Sequence, residues 1–97
     1  MTHEAKVTFI FQTLERAAVS MTDFARLSGI SRASLYNWKQ GANITDMLRL
    51  RDAYAFALRL NRAVEMKRLP LVGMYKLTER IQTLKRIIAE ANKEMGR

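Results

Sequence analysis

Side chains able to do covalent chemistry are few in this 97-residue chain. It has no cysteine and one histidine, His3, so disulfide frameworks, thiolate nucleophiles, zinc fingers and iron–sulfur sites are excluded. Ser28, Ser31 and Ser34 form a group of hydroxyls. No second histidine, and no carboxylate at a predictable distance, is there to activate one, so capping and packing explain them better than nucleophilic attack. Asp23, Asp46 and Asp52 read as helix-start or surface acids, not as an acid–base pair, and there is no glycine-rich phosphate loop. We therefore expect a protein that is not an enzyme and needs no cofactor or metal. The chemistry the composition does offer is electrostatic. Seventeen Lys and Arg against nine Asp and Glu leave a net charge of +8, which points to a polyanionic partner.

That excess is unevenly spread. Residues 1–20 are neutral by count, residues 21–45 carry +2, and residues 46–70 and 71–97 carry +3 each. The charges alternate with apolar residues at helical spacing, unlike a disordered basic tail. Hydrophobic residues make up 48% of the chain, enough for one packed core, and the small size makes oligomerisation a stabilising option. No apolar run approaches the roughly 18 residues of a membrane span, and the N-terminus lacks a signal-peptide pattern, so the expectation is a protein of a reducing bacterial cytoplasm without a membrane partner.

Five helices are needed to position these residues. Residues 3–18 carry Val7, Ile10, Phe11, Leu14 and Ala18 on one helical face behind a Thr2 cap. Ser20 caps a second helix that turns Met21, Phe24 and Ala25 inward and ends at Gly29. Ser31 caps a third, about 32–40, whose inward residues are Leu35 and Trp38. A longer helix over 45–69, capped by Asn43 or Thr45, stops at Pro70. A last helix from about Met74 to Lys93 carries a heptad seam of Met74, Leu77, Ile81, Leu84, Ile88, Ala91 and Met95. No period-two pattern bounded by turns occurs, so the expected fold class is all-α.

Residues 21–40, with Ala25 small at the helix crossing, Gly29 at the turn, and Phe24, Ile30, Leu35 and Trp38 as apolar pins, resemble the helix-turn-helix of the Cro and lambda-repressor superfamily of DNA-binding regulators. Ser28 stands where the family is often apolar. The resemblance is close over this segment and loose over residues 1–50, which it makes the DNA-binding domain. It implies that the third helix enters the major groove of a double-stranded DNA operator. Arg32, Ala33, Tyr36, Asn37 and Ser31 would then face base edges, Arg32 toward guanine, Asn37 toward adenine and Ala33 toward a thymine methyl. Ser20, Thr22, Lys39, Gln40, Asn43, Thr45 and Arg49 would meet phosphates, those near Ser20 because a helix N-terminus favours an anion. Trp38 belongs to the buried face rather than to a base-stacking platform.

The chain departs from the minimal superfamily domain after Leu50, and residues 51–97 read as a C-terminal helical hairpin. Its seam can fold back on Leu50, Tyr54, Ala57, Leu60 and Val64, or pair with a second chain. A parallel two-stranded coil would bring Arg80 at g against Lys85 at e, so the preferred expectation is an intertwined homodimer through Leu77, Ile81, Leu84, Ile88 and Tyr54. Two copies would read a palindrome with half-sites about one helical turn, ~34 Å, apart. The expected function is a transcriptional repressor with a compact format similar to phage and plasmid regulators and no evident small-molecule ligand. An activator, a DNA-targeting subunit of a recombination or partition complex, and a helical protein–protein adaptor are the alternatives.

Overall fold

Polar caps fix where most of the helices begin. In the computed structural model, which describes residues 2–73 and 76–96, helix α1 (His3–Ala17) starts at Thr2, whose Oγ1 accepts the Ala5 N–H at 3.0 Å. Helix α2 (Met21–Ser28) starts at Ser20, whose Oγ accepts from Asp23 N–H at 3.1 Å. Helix α3 (Arg32–Lys39) starts at Ser31, which accepts from Ser34 N–H at 3.1 Å. Each cap satisfies an amide that the helix cannot pair internally. Helix α4 (Met47–Glu65) differs from expectation. Its cap is Asp46, whose Oδ1 accepts from Arg49 N–H at 3.1 Å, rather than Asn43 or Thr45. Helix α5 (Leu77–Glu94) has Lys76 at its start and no side-chain cap bond. Met74, expected to open this helix and its seam, lies outside the described residues.

The helix ends depend on left-handed residues, including two that are not glycine. Ala18, expected on the core face of α1, is instead an exposed residue with φ 54°; its amide and that of Val19 return to the Glu15 and Leu14 carbonyls. Ala17 takes its place in the core. At the end of α4, Lys67 has φ 61°, and the amides of Lys67 and Arg68 return to Val64 and Ala63. This pair of bonds is the Schellman arrangement. It ends α4 at Glu65, ahead of the stop expected at Pro70, and lets Leu69 turn back into the core.

Helix α4 is central. It packs most extensively on α1, then on α5, and also touches α2. Its buried residues are Leu50, Ala53, Ala57, Leu60 and Ala63. Alanine at three of these positions allows the neighbouring helices to come close, because interaxial distance follows side-chain size at the contact. The aromatic residues sit at the edges of this seam: Phe24 meets Phe56 edge to face at 5.5 Å, and Phe9 meets Tyr54 at 5.3 Å. All five helices contribute to one buried apolar cluster, and the boundary expected at residue 50 falls inside α4.

On α5 the buried residues are Leu84, Ile87, Ile88 and Ala91. Leu84 and Ile88, assigned above to a dimer interface, are 2% and 7% exposed inside a single chain. The fold-back alternative is the one these two side chains adopt. Ile87 is not part of the heptad seam, and its burial broadens the apolar stripe to the width of a globular-protein helix. Leu77, the first described residue of the seam, is 44% exposed, and Ile81 and Tyr54 are half-buried.

Polar links then join α5 to the rest. Arg59 Nε donates to Asn92 Oδ1 at 3.2 Å, Arg62 pairs with Glu94 at 3.0 Å, and Arg68 pairs with Glu90. Asp23, read from sequence as a helix-start or surface acid, is both helix-start and buried, at 5% exposure. Arg80 donates to both of its carboxylate oxygens, from Nε at 2.8 Å and from Nη2 at 3.2 Å, and Arg26 lies 3.7 Å away. The hydrogen bonds to Asp23, reinforced by its charge, raise the Arg80 pKa above the usual guanidinium value.

Two outcomes follow from this packing. Leu60→Ala removes a fully buried side chain from the middle of α4 and should cost about 2–5 kcal/mol in urea unfolding. Asp23→Asn and Arg80→Ala should each lower the thermal midpoint followed by circular dichroism, and the double variant should lose less than the two losses added. Strict additivity would mean that the pair contributes no coupling.

Candidate nucleic-acid interface

Three residues, Gly29, Ile30 and Ser31, separate α2 from α3. Gly29 has φ 78°, a conformation that side chains with a Cβ rarely adopt. Ser28 gives the turn a second support. Its Oγ donates to the Phe24 carbonyl at 2.7 Å and accepts from Ile30 N–H at 3.2 Å. A polar residue at this position therefore bonds the turn, where an apolar one would only pack against it. Ile30, Leu35 and Trp38 are buried and hold α3 to the core by one face.

Anchoring that face decides what the other presents. Arg32, Ala33, Tyr36 and Asn37 are exposed on α3, followed by Lys39 and Gln40 at its end. Tyr36 is 53% exposed, a large aromatic surface for an unpaired helix face. Among the described residues Arg32 has no carboxylate within ion-pair distance. Ser31 is more constrained than the rest. Its hydroxyl accepts the Ser34 amide and donates to Ser34 Oγ at 2.9 Å, so capping already uses its polar atom.

Five of the seven residues expected at phosphates fall into two clefts beside α3. One, of about 330 Å3, brings Asn37 together with Asn43, Thr45 and Arg49. Asp46 also lines it, and Arg49 Nε lies 3.1 Å from Asp46 Oδ2, so the Arg49 charge there is partly offset. The other, an open cleft of about 870 Å3, brings Ser20 and Lys39 together with Thr8 and Gln12 of α1. Lys39 Nζ sits 5.9 Å from the centre of the Phe11 ring, on the wall of this cleft. Thr22 is half-buried in the first turn of α2, and Gln40 is the exposed C-cap of α3. Sequence reasoning did not single out Thr8 or Gln12, and it read Asp46 as a helix-start or surface acid without placing it in the first cleft. The i, i+4 spacing of Thr8 and Gln12, on the polar side of α1, was the available signal, but only the packing of α1 against α3 brings them to Lys39.

Among the described residues no three His, Cys, Asp or Glu side chains gather in a way that could hold a metal ion. No helix among them is long and apolar enough to cross a membrane. Comparison of the chain with protein-family models, with curated proteins and with solved structures finds no match.

The turn makes a simple prediction. Nothing lies within 4 Å of a Cβ built on Gly29, so steric contact adds no cost there. Gly29→Ala should destabilise the fold by about 1 kcal/mol in denaturant unfolding, the backbone cost of a left-handed L residue. A neutral result would show that the turn relaxes to a different geometry.

Proposed function

We propose that this protein is a sequence-specific, double-stranded DNA-binding transcriptional regulator that uses α2 and α3 as a helix-turn-helix. It acts as a repressor by occupying a palindromic operator as a homodimer. The observation that carries the reading is the division of α3. Leu35 and Trp38 are buried, while Arg32, Ala33, Tyr36 and Asn37 face outward, after a three-residue turn held by Gly29 and Ser28. In the major groove, Arg32 would donate two hydrogen bonds to guanine and Asn37 would pair with adenine. Ala33 is short enough to meet a thymine methyl, and Tyr36 reaches a base edge or a phosphate. Asn43, Thr45 and Arg49 on one side, and Ser20 and Lys39 on the other, would hold the backbone.

One copy presents one such helix, so the palindrome requires a second copy. Leu84 and Ile88 are engaged in the chain's own core, which moves the dimer contact toward the exposed start of α5, at Leu77 and its half-buried neighbour Ile81. One observation favours a protein-docking role instead: Met47 and Leu48 are exposed at the start of α4. Salt separates the two readings, because only phosphate contact releases counterions.

Selection of duplexes from a random pool should return a palindrome. Affinity for it should fall steeply between 50 and 200 mM salt, in line with several phosphate contacts. Arg32→Ala should cost about 1–3 kcal/mol on the selected site and relax preference at one base pair. Absence of duplex binding at low salt would overturn the proposal, and an equal loss on every sequence would make Arg32 a phosphate contact.

A further inference from the structure

The acidic residues of α5 are not distributed evenly around it. Glu90 and Glu94 turn toward α4 and the segment that follows it, where Arg62 neutralises Glu94 and Arg68 neutralises Glu90. Arg80, the base nearest the helix start, is paired with Asp23. What remains on the outward side is Gln82, Lys85, Arg86, Ala89 and Lys93, all exposed, with the exposed Glu79 of the first turn at the N-terminal edge of the same face. Their spacing of three, four, seven and eleven residues from Gln82 puts them on one face. Along that face Lys85, Arg86 and Lys93 have no carboxylate within ion-pair distance among the described residues. The face is about 16 Å long at 1.5 Å per residue, and Ala89 near its middle keeps it low enough for close approach.

A cleft of about 340 Å3 borders this face where α5 meets the end of α2. It contains two cationic side chains, Arg59 and Lys85, with the Asn92 amide, and no carboxylate lines it. Arg59 is held in place, stacked 5.8 Å from the Phe56 ring centre and bonded to Asn92. A held guanidinium beside a free ammonium, on a helix face that carries Lys85, Arg86 and Lys93 against the single acid Glu79, suits the regularly spaced negative charges of a nucleic-acid backbone.

We propose that the outward face of α5 is a second phosphate-binding surface, separate from α3, that contacts the backbone of duplex DNA. This rests on the DNA-binding reading above and extends it. Base reading stays with α3, so this surface contributes backbone contact alone. It adds affinity and salt dependence without altering sequence preference. The phosphates come either from DNA flanking the site read by α3 or from a second duplex.

The test uses the full chain and a duplex selected from a random pool, with affinity measured against salt. Lys85→Gln/Arg86→Gln/Lys93→Gln should lower the slope of log affinity on log salt by roughly 2 to 3, at about 0.9 per lost phosphate contact, with base preference unchanged. Arg substituted for Lys85 and Lys93 should keep the wild-type slope, which excludes loss of folding as the cause. Extending the duplex at both ends should steepen the slope if the phosphates flank the site, whereas a second equivalent of short duplex should bind if they belong to another molecule. An unchanged slope in the triple Gln variant, with Arg32→Ala still relaxing base preference, overturns this surface and leaves the DNA-binding reading intact. A wild-type chain that binds no duplex at low salt overturns both.

Discussion

The alanines of α4 are the constraint on which the rest of the structure depends. Ala53, Ala57 and Ala63 are wholly buried, and they let α4 lie close to α1 while also packing on α5. A larger residue at any of them would push a neighbour outward, since close-packed interiors have little room to absorb added volume. With α4 in the middle, Leu50 and Leu60 complete its buried face and one apolar cluster draws on every helix. The orientation of α3 follows from this arrangement. Its two buried residues, Leu35 and Trp38, join that cluster with α3 packed on α2 and on α1, the helix against which α4 packs most extensively.

The Asp23–Arg80 pair is the second link, and it differs from a surface ion pair. Asp23 is almost fully buried, so its carboxylate needs its hydrogen-bond donors, and Arg80 supplies two in the forked geometry that guanidinium favours. The pair connects the first turn of α2 to the first turn of α5, over 57 residues of sequence. It ties the proposed DNA-reading unit to the hairpin. It also removes Arg80 from the set of free cations, as Glu94 and Glu90 do for Arg62 and Arg68. The pairs of Arg62 with Glu94 and Arg68 with Glu90 leave the net excess on residues 46–97 unchanged, and only Arg80 gives its charge to an acid outside that segment. Exposed cations therefore remain on the outward side of α5, at Lys85, Arg86 and Lys93, as they do on α3 at Arg32 and Lys39.

Helix α5 shows where sequence periodicity misleads. Its apolar residues follow a heptad well enough to suggest a seam for a second chain. The same residues satisfy a single-chain core once Ile87 joins them, because 3.6-residue and 3.5-residue periods diverge little over 18 residues. Burial, which periodicity cannot report, decides between them for Leu84 and Ile88. Leu77, two turns before the buried part begins at Leu84, remains on the surface and, with the half-buried Ile81, carries what is left of the dimer case.

Local features were legible in the sequence because local chemistry determines them. The Thr2, Ser20 and Ser31 caps, the positive φ of Gly29, the short α2 and α3, and the inward Phe24, Leu35 and Trp38 all depend on residues a few positions apart. The identity of the outward residues of α3 follows from the same spacing. Tertiary structure decided what depends on distant partners. It buried Asp23 against Arg80, turned Leu84 and Ile88 inward, and made Ala18 and Lys67 left-handed so that Val19 and Leu69 could reach the core. It also gathered Asn37 with Asn43, Thr45 and Arg49, and Ser20 with Lys39, Thr8 and Gln12. The physical reason is one of range. Capping and backbone preference act within a turn or two of helix, whereas burial and ion pairing depend on which helix arrives from elsewhere in the chain.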